Sequence, residues 1–171
     1  MEIKNKYEHS KIGLFMFNIC AKWTRFLCKH RALYYLLSLT WGLIMSLVGF
    51  FITAALGIAK IFSKDITFKK YNWVYSISVK PDYWGGFDTG LMFVRDMKSS
   101  SSVDAHEFGH TFQNCLLGPL FPFLVAIPSA CRWWARELNK KKQWNAYDSA
   151  WFEDAASQCG AYANFVLNNK D

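Results

Sequence analysis

Residues 32–59 read ALYYLLSLTWGLIMSLVGFFITAALGIA and carry no formal charge between Arg31 and Lys60. About 20 apolar residues suffice for a helix to cross the hydrocarbon core of a bilayer, so the run predicts a transmembrane helix with room for tilt. Tyr34, Tyr35 and Trp41 near its start suit the headgroup layer, and Gly42, Ser46, Gly49 and Gly57 offer small surfaces to a second helix. The competing reading is a buried hairpin in a soluble core, which a chain of 171 residues rarely hides at this length. Composition agrees with lipid: 52% of residues are hydrophobic, 18% aromatic and only 19% charged, which also excludes intrinsic disorder.

Upstream, residues 1–31 place Lys22, Arg25 and Lys29 at spacings of three and four, on one helical face, with Phe15, Ile19, Trp23, Phe26 and Leu27 largely elsewhere. This predicts a basic amphipathic segment at the lipid surface; the alternative is an aqueous extension of the transmembrane helix. The net charge of +7 is assigned to anionic headgroups, and no nucleic-acid partner is expected, because the basic residues flank the apolar stretches and no nucleic-acid motif occurs. No compact apolar core precedes a small-residue cleavage site, so no cleaved signal peptide is expected. The five cysteines form no Cys-x-x-Cys pair, which excludes a zinc ribbon and a disulfide framework.

Downstream the texture changes. Residues 71–80 (YNWVYSISVK) and 90–95 (GLMFVR), separated by a turn region at 81–86, read as two short paired strands. A polar loop, KSSSS at 98–102, leads to a helix from about Val103 with Asp104 in its first turn. The expectation is an α+β chain: segment 1–31, transmembrane helix 32–62, and one further unit over 63–171.

Residues 106–110 are His-Glu-Phe-Gly-His. On a helix His106 and His110 lie one turn apart on one face, where both imidazoles can bind a single Zn²⁺, while Glu107 can reach a water as general base. Two surface histidines on an ordinary helix are the bland alternative. A hydrolytic zinc takes a third protein ligand. No histidine follows His110, so the candidates are Glu137, Asp148, Glu153, Asp154 and Asp171. Glu153 is preferred: it sits in a helical stretch at 147–167, with the small Ala156, Ser157 and Gly160 on its side. Glu137, beside Arg136 and just before Lys140, Lys141 and Lys142, reads as a solvated face. Asp154 points about 100° away and reads as a supporting or helix-end charge.

The ordered motifs Trp84-Gly85-Gly86, His-Glu-Phe-Gly-His-Thr-Phe-Gln at 106–113, Leu117-Gly118-Pro119, Ile127-Pro128-Ser129 and Phe152-Glu153 resemble the gluzincin class of zinc metallopeptidases. More narrowly, they are similar to a group of small bacterial proteins built around a minimal zincin site. The resemblance covers about 84–165. It implies a minimal zincin-like domain with a short β-hairpin or edge strand, an HExxH helix and a third-ligand helix. It also implies His106, His110 and Glu153 as metal ligands, Glu107 as base, and an edge strand near 87–95 lining the cleft. Three departures stand out: Phe108 stands where the pattern often has Tyr, Asp154 comes one place earlier than the pattern's acid, and Ser157 replaces its Asn.

A second uncharged run, 111–131 (TFQNCLLGPLFPFLVAIPSAC), is long enough to span. Crossing would put His110 and Glu153 on opposite faces of the bilayer, and Pro119, Pro122 and Pro128 interrupt the helical ladder, so a Pro-rich, membrane-dipping segment is expected instead. The alternative is a buried connection in a soluble lobe. Trp133, Trp134 and Trp144 with Arg132 and Arg136 read as an interfacial belt. Basic residues in that region favour a bacterial inner-membrane protein whose catalytic lobe faces the cytoplasm, with 1–31 on the opposite side. The expected function is a membrane-anchored zinc metallopeptidase acting on peptide or protein substrates near the bilayer, with Tyr83, Arg95 and Tyr147 as oxyanion candidates. The rival is a non-catalytic, zinc-stabilised membrane protein serving as an interaction or immunity partner.

Overall fold

The structure is a computed structural model and describes residues 1–81, 84–138 and 149–169. These form six α-helices around a four-stranded mixed sheet, an α+β arrangement. The helices are α1 (Lys11–Leu27), α2 (Arg31–Leu39), α3 (Leu43–Phe62), α4 (Ser101–Leu117), α5 (Ile127–Leu138) and α6 (Trp151–Asn168). The strands are β1 (Ile66–Tyr71), β2 (Val74–Val79), β3 (Gly86–Asp88) and β4 (Met92–Asp96).

The sheet has strand order β1-β2-β4-β3. β1 and β2 form an antiparallel hairpin pairing Ile66 with Val79, and Asn72 takes a positive φ of 50° at its turn. β2 runs parallel to β4, and β3 pairs antiparallel to β4, Phe87 facing Val94. The two expected strands therefore do pair, while β1 and the three-residue β3 are additions. The cleft-lining edge is β3 alone; Met92–Asp96 lies inside the sheet. Alternation splits the side chains between two faces. Val74 and Phe93 meet Phe108 and Phe112 of α4, whereas Ile66, Ile77 and Val94 meet Ile52 and Leu56 of α3.

The uncharged run 32–59 is not one helix. It breaks at residues 40–42 between α2 and α3. Gly42 sits against α4 so closely that a Cβ there would lie 2.6 Å from Asn114 Nδ2, and the Trp41 indole donates to the Leu116 carbonyl at 3.3 Å. α2 belongs to the core. Tyr34 is fully buried and donates to Thr111 Oγ1 at 2.8 Å, so it does not occupy a headgroup layer. Among the described residues, α3 is the one single helix long and apolar enough to cross a membrane.

α1 keeps Phe15 and Phe26 of the expected apolar face exposed and buries another face in the protein. Ser10 caps it, accepting from the Gly13 amide at 3.1 Å, and Phe17, Cys20, Ala21, Thr24 and Leu27 form its buried face. Phe17, Cys20 and Ala21 pack with Ala155 and Cys159 of α6. That apolar stripe is covered by protein rather than lipid, which joins the segment 1–31 to the lobe carrying α6. Within 111–131, α4 continues to Leu117; a 3₁₀ turn (Gly118–Leu120) and a wide π-type turn (Pro122–Ala126) then redirect the chain into α5. The path bends by 116°, as the prolines require.

Candidate metal centre

α4 and α6 cross at van der Waals limits. A Cβ on Gly109 would lie 1.9 Å from the Ala156 carbonyl oxygen, and one on Gly160 would lie 1.7 Å from that of Ala105. Only two glycines and small neighbours permit this approach, and it brings the first turn of α6 to the HExxH face of α4. His106 Nε2 and His110 Nε2 stand 3.1 Å apart, and Glu153 Oε2 lies 3.1 Å from the first and 3.4 Å from the second. Tetrahedral zinc with bonds of about 2.0–2.2 Å sets its ligand atoms about 3.3 Å apart, so these three atoms have the spacing of a metal's ligands. The His-His-Glu group can bind a metal ion.

The surrounding hydrogen bonds decide which ring nitrogens face the centre. Gln113 Nε2 donates to the Phe152 carbonyl at 2.8 Å, which leaves its Oε1 to accept from His110 Nδ1 at 2.7 Å. His106 Nδ1 lies 2.8 Å from Ser157 Oγ. With Nδ1 of His110 protonated, its Nε2 presents a lone pair to the carboxylate of Glu153; donation from His106 Nδ1 to Ser157 sets His106 likewise, and donation by Ser157 sets it oppositely. Glu153 is fully buried, and its carboxylate faces the Nε2 atoms of His106 and His110. Facing lone pairs at about 3 Å are stable only with a proton or a cation between them. The donor set of two imidazoles and one carboxylate therefore fits a divalent metal. Burial acts to raise the Glu153 pKa, but hydrogen bonding and charge from His106 and His110 outweigh it and hold the carboxyl well below its ordinary range.

Glu107 is buried beside the triad and faces a cleft of about 570 Å³. Its pKa is pushed up to about 8, first by burial and further by Glu153 and Asp104, while His110 opposes the rise. Gly86 of β3 packs on it: a Cβ there would lie 2.8 Å from Glu107 Oε1. Opposite β3, Phe121, Val125, Ala126 and Trp133 wall the cleft, and the Trp133 indole donates to the Trp84 carbonyl at 3.0 Å.

The expected residues fall into place unevenly. His106, His110 and Glu153 converge, and Glu107 adjoins them. Asp154 points away: its Oδ2 accepts from the Lys6 and Tyr7 amides at 2.9 and 3.3 Å and lies 2.9 Å from His9 Nε2. It anchors the N-terminal segment to α6. Glu137 is part-exposed on α5, 3.9 Å from Arg136. Arg95 does not line the cleft; it pairs with Asp104 at 2.9 Å and donates to the Ser99 carbonyl, so it is set aside as an oxyanion group. Tyr83, Tyr147, Asp148, Trp144, Asp171 and the lysines Lys140, Lys141 and Lys142 lie outside the described residues. Sequence reasoning missed the orienting role of Gln113, although its position three after His110 was a usable clue. It also missed Asp88, which lines the cleft buried, its carboxyl raised well above the ordinary range by burial and by Glu107.

Comparison with known protein families, with curated proteins and with solved structures finds no match to this chain.

Proposed function

We propose that this chain is a membrane-anchored zinc metallopeptidase of gluzincin type, cleaving peptide bonds near the bilayer. The observation that carries the reading is the convergence of His106, His110 and Glu153 beside a buried Glu107, at the floor of an open cleft. Held by these three residues, zinc would supply a Lewis acid able to acidify a water and polarise a carbonyl.

The chain's own groups account for the rest. Gln113 and Ser157 orient the two imidazoles. Glu107 takes the proton of the attacking water on its carboxylate and passes it to the leaving amine. Burial raises the proton affinity of Glu107 in the metal-free protein, and a dication next to it favours the charged form, leaving a base that is neither too weak nor permanently protonated. The edge strand β3 offers unpaired backbone groups to an extended substrate, and Phe121, Val125 and Trp133 exclude water from the opposite wall.

The test is Glu107→Gln, which keeps shape and removes the base. Zinc content should match wild type while hydrolysis of a peptide library falls by about 10²–10⁴-fold. Equal turnover by the variant would place the base elsewhere, and no turnover by wild-type protein loaded with zinc would leave a metal staple without catalysis as the better description.

A further inference from the structure

α3 is apolar enough to cross a bilayer, yet its inner face is fastened lengthwise to the lobe. Met45 packs with Leu117, Phe121 and Val125; Gly49 rests on Thr89; Thr53 bonds to Met92; Ile52 and Leu56 cover Ile66, Ile77 and Val94; and the Lys60 ammonium lies 5.0 Å from the Phe68 ring centroid. These contacts run from residue 45 to residue 60, about 22 Å at 1.5 Å per residue. The sheet thus stands beside the C-terminal half of α3. Standing α3 upright in a bilayer would immerse β1, an edge strand with unpaired backbone groups and the exposed Asp65, Lys69 and Lys70. Hydrocarbon tolerates neither an open sheet edge nor such charges.

The outer face of α3 is nonetheless a broad uncovered apolar surface. Phe51, Ile58, Ile61 and Phe62 are each more than 60% exposed, and Ile44, Leu47, Val48 and Phe50 continue the arc. Beyond Met45 the surface meets the bent segment after α4, whose own outer side exposes Leu120, Phe123, Leu124 and Ile127. Lys60 and Lys64 close the far end, and the chain carries +7 overall.

We infer that α3 and the segment 120–127 form one monotopic surface lying in the plane of a single leaflet of an anionic bilayer, with no crossing. Such a surface sinks about 5–10 Å, its basic end at Lys60 and Lys64 meeting headgroup phosphates. The inner side of the same 121–126 segment walls the cleft, so the cleft opens at headgroup level and favours peptide segments emerging from a membrane. This rests on the membrane half of the proposed function and is independent of the metal half.

The test uses full-length protein carrying Cys131→Ser, since Cys131 is exposed and the other four cysteines are buried. Reporter cysteines Lys11→Cys and Lys64→Cys are probed with an impermeant maleimide on sealed vesicles of phosphatidylcholine with and without phosphatidylglycerol. Both sites should label from the same side, binding should be stronger with phosphatidylglycerol, and Phe51→Glu with Ile58→Glu should weaken retention about tenfold or more. Labelling from opposite sides would overturn the inference while leaving a membrane anchor in place. Recovery as a soluble oligomer that ignores both vesicles would overturn the inference and the membrane half of the proposed function together. Zinc content, measured on the same samples, reports separately on the metal.

Discussion

Glu153 and Asp154 are neighbours with opposite duties, and the difference is one of direction around a helix. Glu153 turns into the α4 face and meets two imidazoles; Asp154 turns out and receives two backbone amides and His9. Glu153→Ala should therefore abolish tight metal binding, while Asp154→Ala should cost at most about 10–100-fold in affinity. Its main effect should be faster tryptic cleavage at Lys4, Lys6 and Lys11, read by the time course of limited proteolysis. Gln113→Ala removes the acceptor that fixes the His110 ring and should lower metal affinity by about 10–100-fold, measured by chelator competition. A Gln113→Ala protein with unchanged affinity would mean that its amide only supports Phe152.

At the scale of elements, the α4–α6 crossing sets the centre, and its tolerance is near zero at Gly109 and Gly160. Gly160→Ala forces a methyl into the Ala105 carbonyl, so the helices must part. The expected cost is about 1–3 kcal/mol or more, with metal affinity falling in parallel; the check is a thermal melt with and without zinc. A stable variant with full metal binding would show that the helices can slide without losing the site. Part of this crossing was legible beforehand: one-turn spacing puts His106 and His110 on one face, and Glu153, with Ala156, Ser157 and Gly160 on its side, was the preferred carboxylate, as the resemblance also implied. The break at residues 40–42 was not, since an uncharged run reads as one helix until Gly42 and Trp41 find their places on α4. β1 escaped notice because its Lys69 and Lys70 belong to an exposed edge, and β3 is too short for alternation to register. The buried face of α1 was not legible either: Phe17, Cys20 and Ala21 pack on α6, while Phe15 and Phe26 of the expected apolar face stay exposed.

At the scale of the molecule, among the described residues, the N-terminal segment, the sheet and the His106–His110–Glu153 cluster form one body, held by α1 against α6 and by α3 along the sheet. A bilayer cannot divide residues 1–31 from the centre without tearing the α1–α6 interface, where Phe17, Cys20 and Cys159 are buried. Four buried thiols support that interior. The pKa values of Cys20, Cys115 and Cys159 are raised, chiefly by burial, the latter two to about 12, so these thiols stay protonated in the packed interior at neutral pH. Whether His106, His110 and Glu153 hold a metal is read by metal analysis of the purified full chain. About one zinc per chain is expected in wild type and Asp154→Ala, with loss in His110→Ala and in Glu153→Ala. Wild-type protein that takes up no divalent metal from zinc-replete solution, or a Glu153→Ala variant that holds zinc as tightly as wild type, would contradict it.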